Sequence, residues 1–127
     1  MRISIVIITV AVCMTSCMRA EMRRIAALPV GDVSIASIPD GSYTGSYTSK
    51  GFTYSVRAKV SEGRLNKVQV LQNRKSSRAQ RAEVVMRRVV DKQSLDVELM
   101  EGLEGESKAL LKALEKALSK GESRASE

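Results

Sequence analysis

The hydrophobic period of the chain changes from two residues to about 3.6 partway along, and this change constrains the fold more than any other feature. From residue 52 to residue 60, every second side chain is apolar and the intervening ones are polar or basic. Beyond residue 80, apolar residues recur at i, i+3, i+4 and i+7. The first pattern predicts a half-buried strand and the second an amphipathic helix. We therefore expect an α+β fold.

Two more strands flank the alternating one. Asp40-Gly41 is a turn signal, and the residues after it place Tyr43 and Tyr47 between Ser and Thr, which predicts a first strand. Glu62-Gly63 is typical of a tight turn and leads into a third strand over 64–72. Three consecutive strands with short turns predict a three-stranded antiparallel meander.

Two helices follow, and their apolar stripes should pack on one face of the sheet. The first helix should start near Ser76 or Ser77, because Ser is a good N-cap, and the second should span 107–120 and stop at Gly121. The stripe residues of both helices are predicted core: Ala82, Val85, Met86, Val89 and Val90, then Leu110, Ala113, Leu114, Ala117 and Leu118. Residues 122–127 are expected to be a disordered tail.

The N-terminus has the pattern of an export signal. Arg2 precedes an apolar run over 3–14, which at about twelve residues is shorter than the 20 or so that span a bilayer. The run ends in Met14-Thr15-Ser16-Cys17, similar to a bacterial lipobox. We expect a lipoprotein signal peptide over 1–17 with lipidation at Cys17, and a tether over 18–39. An ordinary cleaved signal or an uncleaved anchor is the alternative. All three predict the extracytoplasmic face of a bacterial membrane.

Composition excludes several classes of function. The 127 residues suffice for one domain, and the chain contains no His, the commonest general base and metal ligand. Both cysteines lie within the first 17 residues, and no Walker-type glycine loop is present. We therefore expect neither an independent enzyme nor a metal site. The net charge of +7 is segregated, with seven basic and two acidic residues over 74–92, then five acidic and no basic residues over 93–107.

The segment QSLDVELMEGLEGESKALLKALEKAL, residues 93–118, resembles the FMN-binding domain family, in which a stretch of the type QSLDVDAVSGATATSKA precedes the last helix. DGSYTGSYTSKGFTYSVRAKVSEGRLNKVQVLQN resembles the opening three strands of that family, so the resemblance extends from Asp40 to Gly121. It implies a phosphate cradle at the start of the last helix, where free N–H groups favour an anion. The implied FMN-binding residues are Gly102, Leu103, Glu104, Gly105, Glu106, Ser107 and Lys108.

In covalent members of the family, the last Thr of the SGATxT stretch carries the flavin phosphate as an ester. Glu106 stands at that position here, and Glu101 and Glu104 replace the first Ser and the first Thr. A carboxylate cannot form that stable phosphoester, so we expect no covalent flavin. The carboxylates also oppose a bound phosphate, which Lys108 and the basic residues of the first helix offset in part, namely Arg78, Arg81, Arg87 and Arg88. Alternatively, Glu104 and Glu106 only stabilise the helix dipole.

Three functions stay open at this point. The resemblance implies a membrane-anchored domain that binds FMN non-covalently in electron transfer, in partnership with a membrane redox complex. A structural or interaction lipoprotein that keeps the fold and has lost flavin is the alternative. A third hypothesis is that residues 77–92 form a basic surface that binds anionic lipid. We expect no nucleic-acid partner, because that basic stretch has no aromatic residue for base stacking.

Overall fold

The structure, a computed structural model, describes residues 17–126. Residues 1–16 of the predicted signal peptide over 1–17 therefore lie outside the described residues. The chain forms an antiparallel sheet of three strands, β1 (Gly41–Ser49), β2 (Phe52–Ser61) and β3 (Arg64–Gln72), in the order β1-β2-β3. The α+β class and the meander are confirmed.

Both hairpins turn on two residues with positive φ. Lys50 and Gly51 have φ of 46° and 77°, and Glu62 and Gly63 have 54° and 71°. Two such residues in succession are typical of type I′ turns, whose twist matches that of the paired strands. The first hairpin therefore closes on Ser49 opposite Phe52, and the alternation predicted for β2 is preserved.

The helical segments are α1 (residues 17–26), α2 (Ser77–Ala82), α3 (Val85–Lys92) and α4 (Glu104–Ala125), with a short 3₁₀ turn over Ile35–Ser37. The prediction of one continuous helix after Ser76 is wrong, because the helix breaks at Glu83 and Val84. The Asn73 amide donates to the Ala79 carbonyl at 2.9 Å, while the Glu83 N–H bonds to Gln80 instead at 3.2 Å. This tightens the last turn of α2 and ends it.

Helix α4 packs across β1 and β2 and closes the core. All five residues of its predicted stripe are fully buried, and so are Val56, Ala58 and Leu65 on the facing side of the sheet. The approach is so close that a Cβ at Gly45 would lie 2.8 Å from the Ala117 Cα and would overlap the α4 backbone. The core therefore lies between the sheet and two helices, with α4 on β1 and β2 and α3 on β3, where Val85, Met86 and Val89 are buried.

Helix α4 is longer at both ends than predicted. It starts at Glu104, and residues 122–125, which we expected to be disordered, continue it. Gly121 does not stop the helix. The Ile38 side chain lies where a Gly121 Cβ would be, so a small residue is needed there for packing. A helix supported by packing along its length can continue past a glycine.

Residues 18–39 were predicted to be a tether, and the structure differs. Ile25 of α1, Ile35 and Ile38 are buried in the core. The connecting residues run along α4, where Lys108 and Lys112 donate to the carbonyls of Leu28 and Pro29 at 2.7 and 3.0 Å, and Glu115 and Glu122 accept from the N–H groups of Gly31 and Ser34. Side chains of α4 thus satisfy this backbone, and no short-range period signals such packing.

Candidate functional site

The loop between α3 and α4 is held on β3 at its start. Gln93 has φ 55°, and its amide both accepts from the Leu65 N–H and donates to the Leu65 carbonyl, each at 2.8 Å. The side chain thus pairs with β3 as a further strand would. Leu95 and Leu103 are buried and fasten the rest of the loop, which ends at Gly102 with φ 77°. The beginning of α4 is therefore fixed relative to the sheet.

A cavity of about 950 Å³ lies beside the first turn of α4, between α1 and the loop from β3 to α2. Of the seven residues implied by the family resemblance, four line it: Gly102, Glu104, Gly105 and Glu106. Leu103 is buried in the core, Ser107 is fully buried without contacting the cavity, and Lys108 turns its ammonium to the Leu28 carbonyl. The structure thus brings the loop and the helix start together and leaves Lys108 outside.

Gly105 packs against α1. A Cβ at Gly105 would lie 2.8 Å from the Met22 Cα and would overlap the Met22 carbonyl oxygen. The absence of a side chain at Gly105 is therefore explained by the approach of α1. On this side the helix start is covered by protein.

Glu104 folds back onto the helix start. Its carboxylate accepts from the Gly102 N–H at 3.1 Å and from its own backbone N–H, and the second bond contributes most to lowering its pKa. These bonds and the nearby Arg78 guanidinium hold the pKa of Glu104 below its ordinary value of 4.5, although the side chain is exposed. Leu103, the residue before the helix, has no side chain that can cap it. A carboxylate of the chain itself therefore occupies the anion-preferring end of α4.

Glu106, which the resemblance places opposite an ester-bearing Thr, is buried and paired with Arg78. The guanidinium Nε lies 3.2 Å from a carboxylate oxygen, and Arg78 also donates to the Gly102 carbonyl. The next residue, Ser107, has a fully buried hydroxyl with no hydrogen-bond partner among the described residues. Arg78 therefore joins α2 to the loop and to the first turn of α4.

A second basic residue of the cavity wall, Arg74, is held by aromatic rings. Its guanidinium lies 4.5 Å from the Phe52 ring centre and donates to the Tyr54 hydroxyl at 2.8 Å. The Glu21 carboxylate of α1 approaches it to 3.8 Å and also accepts from the Ser49 hydroxyl at 2.8 Å. Burial raises the pKa of Tyr54, and the bond from Arg74 opposes this in part. Arg74 thus connects α1 to the sheet.

The charges that line the cavity are predominantly positive. The cationic side chains outnumber the carboxylates of Glu104 and Glu106, and they are Arg19, Arg23, Arg74, Lys75 and Arg78. Sequence reasoning placed only Arg78 among these. Arg19 and Arg23 were missed because α1 was taken for a tether. Arg81, Arg87 and Arg88 are absent from the lining, and Arg88 donates to the Glu98 carbonyl at 2.7 Å.

The arrangement can bind an anion next to an apolar surface. Cations lie on two sides of the cavity, and Met18, Met22, Ala26 and Ala79 contribute apolar area.

Within residues 17–126, no cluster of His, Cys, Asp or Glu side chains could hold a metal ion. No helix in that part of the chain is long and apolar enough to cross a membrane. No protein-family model matches this chain, and the comparison with curated proteins found no match either.

Proposed function

We propose that this domain binds FMN non-covalently in the cavity beside α4, as a membrane-anchored electron-transfer component on the extracytoplasmic face. One observation carries the proposal. The cavity has a volume of about 950 Å³, joins a basic wall to an apolar wall, and lies at the loop that the sequence resemblance implicates. A phosphate attached to a flat, largely apolar ring system matches those two kinds of surface.

The cations that line the cavity fit the phosphate of FMN, and they differ in whether their charges are already paired. Lys75, Arg19 and Arg23 form no ion pair within the described part of the chain, so their charges are available to a phosphate. Arg78 is divided between Glu106 and the Gly102 carbonyl. The phosphate therefore binds the cations of α1 and of the β3–α2 loop, since Glu104 and Met22 already occupy the start of α4. When bound, FMN supplies one- or two-electron transfer.

The flavin is held without a covalent bond. Glu106 offers a carboxylate where a hydroxyl would be needed, and that carboxylate is buried against Arg78. The chain's own part is to bind the ligand, to orient it between the two walls and to shield one of its faces from water. No proton transfer is assigned to any residue.

Titration of the purified domain with FMN tests this function. The core is made by residues 25–118, so a chain of residues 17–127 keeps all of it. We expect saturable quenching of FMN fluorescence, and weaker binding of riboflavin, which lacks the phosphate. Lys75→Gln should weaken FMN binding about fivefold, the effect of roughly 1 kcal/mol for one exposed charge pair, and should leave riboflavin unaffected. Lys67→Gln on β3 is the matched control.

The alternative is a structural or interaction lipoprotein that keeps the fold without flavin. It is favoured by the way the helix start is filled from within, since Glu104, Glu106 and Met22 each occupy part of the implied cradle. A folded domain that leaves FMN fluorescence unchanged at high micromolar concentrations would support this alternative and overturn the flavin proposal.

A further inference from the structure

The segment that joins the domain to its predicted membrane anchor contains no spacer. Residue 17 is already helical, and α1 is fastened to the domain four residues later, where Glu21 bonds to Ser49 and approaches Arg74. Four residues of α-helix advance about 6 Å. Ile25, one turn further on, is fully buried in the core. A chain held at a membrane through Cys17 therefore holds the whole domain close to that membrane.

The surface next to Cys17 is basic. Four of the cations that line the cavity are exposed, and we call them the cationic rim: Arg19, Arg23, Lys75 and Arg78. Arg24 of α1 is exposed as well, and Met18, with 41% of its surface exposed, lies between Cys17 and Arg19 in the sequence. Within the described residues only Arg78 of the rim is in an ion pair. When no phosphate is bound, the rim thus presents unneutralised positive charge at the end of the domain nearest the anchor.

We infer that the cationic rim docks on the surface of an anionic bilayer and orients the domain with the cavity mouth toward the lipid headgroups. The inference rests on the proposed membrane location. The anionic membrane is inferred as the partner because its charge is complementary to that of the rim. It is also inferred because Cys17, the predicted lipidation site, lies three residues after the apolar run over 3–14. A basic residue near an anionic membrane surface contributes about 1 kcal/mol, and an acyl chain combined with a basic patch anchors far more firmly than either alone.

The opposite end of the sheet supplies a matched control. Lys59 and Lys67 are paired across β2 and β3 and are exposed on the sheet face that carries no helix. They lie near the Glu62-Gly63 turn, whereas the rim follows the other end of β3. Replacing these two lysines removes the same charge as replacing Arg19 and Arg23, so the two double variants differ in where the charge is lost.

Co-sedimentation with vesicles tests the rim without the lipid anchor. The protein is residues 17–127 with Cys17→Ser, and the vesicles are phosphatidylcholine alone or mixed with phosphatidylglycerol. We expect binding only to the anionic vesicles, and its loss at high salt. Arg19→Gln with Arg23→Gln should weaken it about 25-fold, at about fivefold for each charge, and Lys59→Gln with Lys67→Gln should not. Circular dichroism verifies that both variants are folded.

Equal weakening by both double variants, or binding that ignores phosphatidylglycerol, would overturn the inference. Orientation is measured on the full mature protein in anionic vesicles, with a dye at Ser77→Cys beside the rim or at Gln69→Cys on the open sheet face. A quencher in the headgroup region should quench the first dye more strongly, and equal quenching contradicts the docked orientation. Absence of acylation in the native mass would refute the anchor alone, and absence of FMN quenching would refute the cofactor alone.

Discussion

The interface of α4 with the sheet and the junction of α1 with the start of α4 both close on a glycine, but they are built from different contacts. At Gly45, a helix backbone meets a strand amid fully buried Val, Ala and Leu side chains. At Gly105, two helices meet amid carboxylates and guanidinium groups, and the cavity lies beside them. The first region closes the core, and the second leaves charge beside open space. Stability is thus concentrated away from the candidate site.

The substitution with the largest expected effect is Gly45→Ala. Its Cβ would overlap backbone atoms of Ala113 and Ala117, and neither the strand nor the helix can give way without opening the core. We expect a loss of about 3 kcal/mol or more in the free energy of unfolding, the upper range for overpacking. Urea denaturation measures it, with Ser46→Ala on the exposed face of β1 as the control. A loss below about 1 kcal/mol would show that the interface is looser than described.

Gly105→Ala makes the same chemical change at the second region and should act locally. The added Cβ meets Met22, and α1 can move away while α4 stays on the sheet. We expect a loss of about 1–3 kcal/mol. Hydrogen exchange should become faster over residues 17–26 and stay slow in β1 and β2. Gly102→Ala is the control, since its Cβ meets no atom but its φ of 77° strains the loop. Equal loss of protection in the sheet would contradict a separate junction.

The same contrast explains what sequence reasoning could predict. Period and turn chemistry are short-range signals, so they located the strands, both hairpins and the α4 stripe from Leu110 to Leu118. They missed α1, whose docking depends on the partners of Glu21 and on a backbone held by Lys108 and Lys112. They also missed the break before Val85, which depends on the Asn73 side chain. Contacts between distant residues leave no periodic trace in a single sequence.

The candidate site was predicted in part for the same reason. The resemblance to a known motif implicates the loop and the start of α4, and four of the seven implied residues line the cavity. The direction of the Lys108 side chain and the contributions of Arg19 and Arg23 depend on where residues 18–39 pack. Since no period marks that packing, the sequence did not predict the basic wall of the cavity.

Breaking the Arg78–Glu106 pair should lower the free energy of unfolding by less than the substitution of Gly45 or Gly105. Glu106 is buried, but the Arg78 side chain is 57% exposed, so water screens the pair and can solvate a released guanidinium. We expect Glu106→Gln to lower the free energy of unfolding by about 1 kcal/mol. A double-mutant cycle with Arg78→Gln isolates the coupling, which should be about 0.5–1 kcal/mol. Zero coupling would mean that the pair does not hold α2 to α4.

Glu104 should give the smallest effect, and one that depends on pH. Because its pKa in the folded protein lies below the ordinary value of 4.5, its contribution to stability is present above pH 4.5 and disappears as the pH falls through the lowered value. Glu104→Gln cannot lose this contribution. The thermal midpoint of the wild-type protein should therefore fall more between pH 6 and pH 3 than that of the variant.

Glu101→Gln provides the comparison that assigns this effect to capping. Glu101 is exposed on the same loop, three residues before Glu104, and it accepts no hydrogen bond from the start of α4. Its variant should therefore keep the acid sensitivity of the wild-type protein. If both variants flatten the pH dependence equally, the effect comes from the overall charge of the loop. If only Glu104→Gln does so, the helix end that a cofactor phosphate would need is already occupied by a carboxylate of the chain, and a bound anion has to rely on the cations of α1 and the β3–α2 loop.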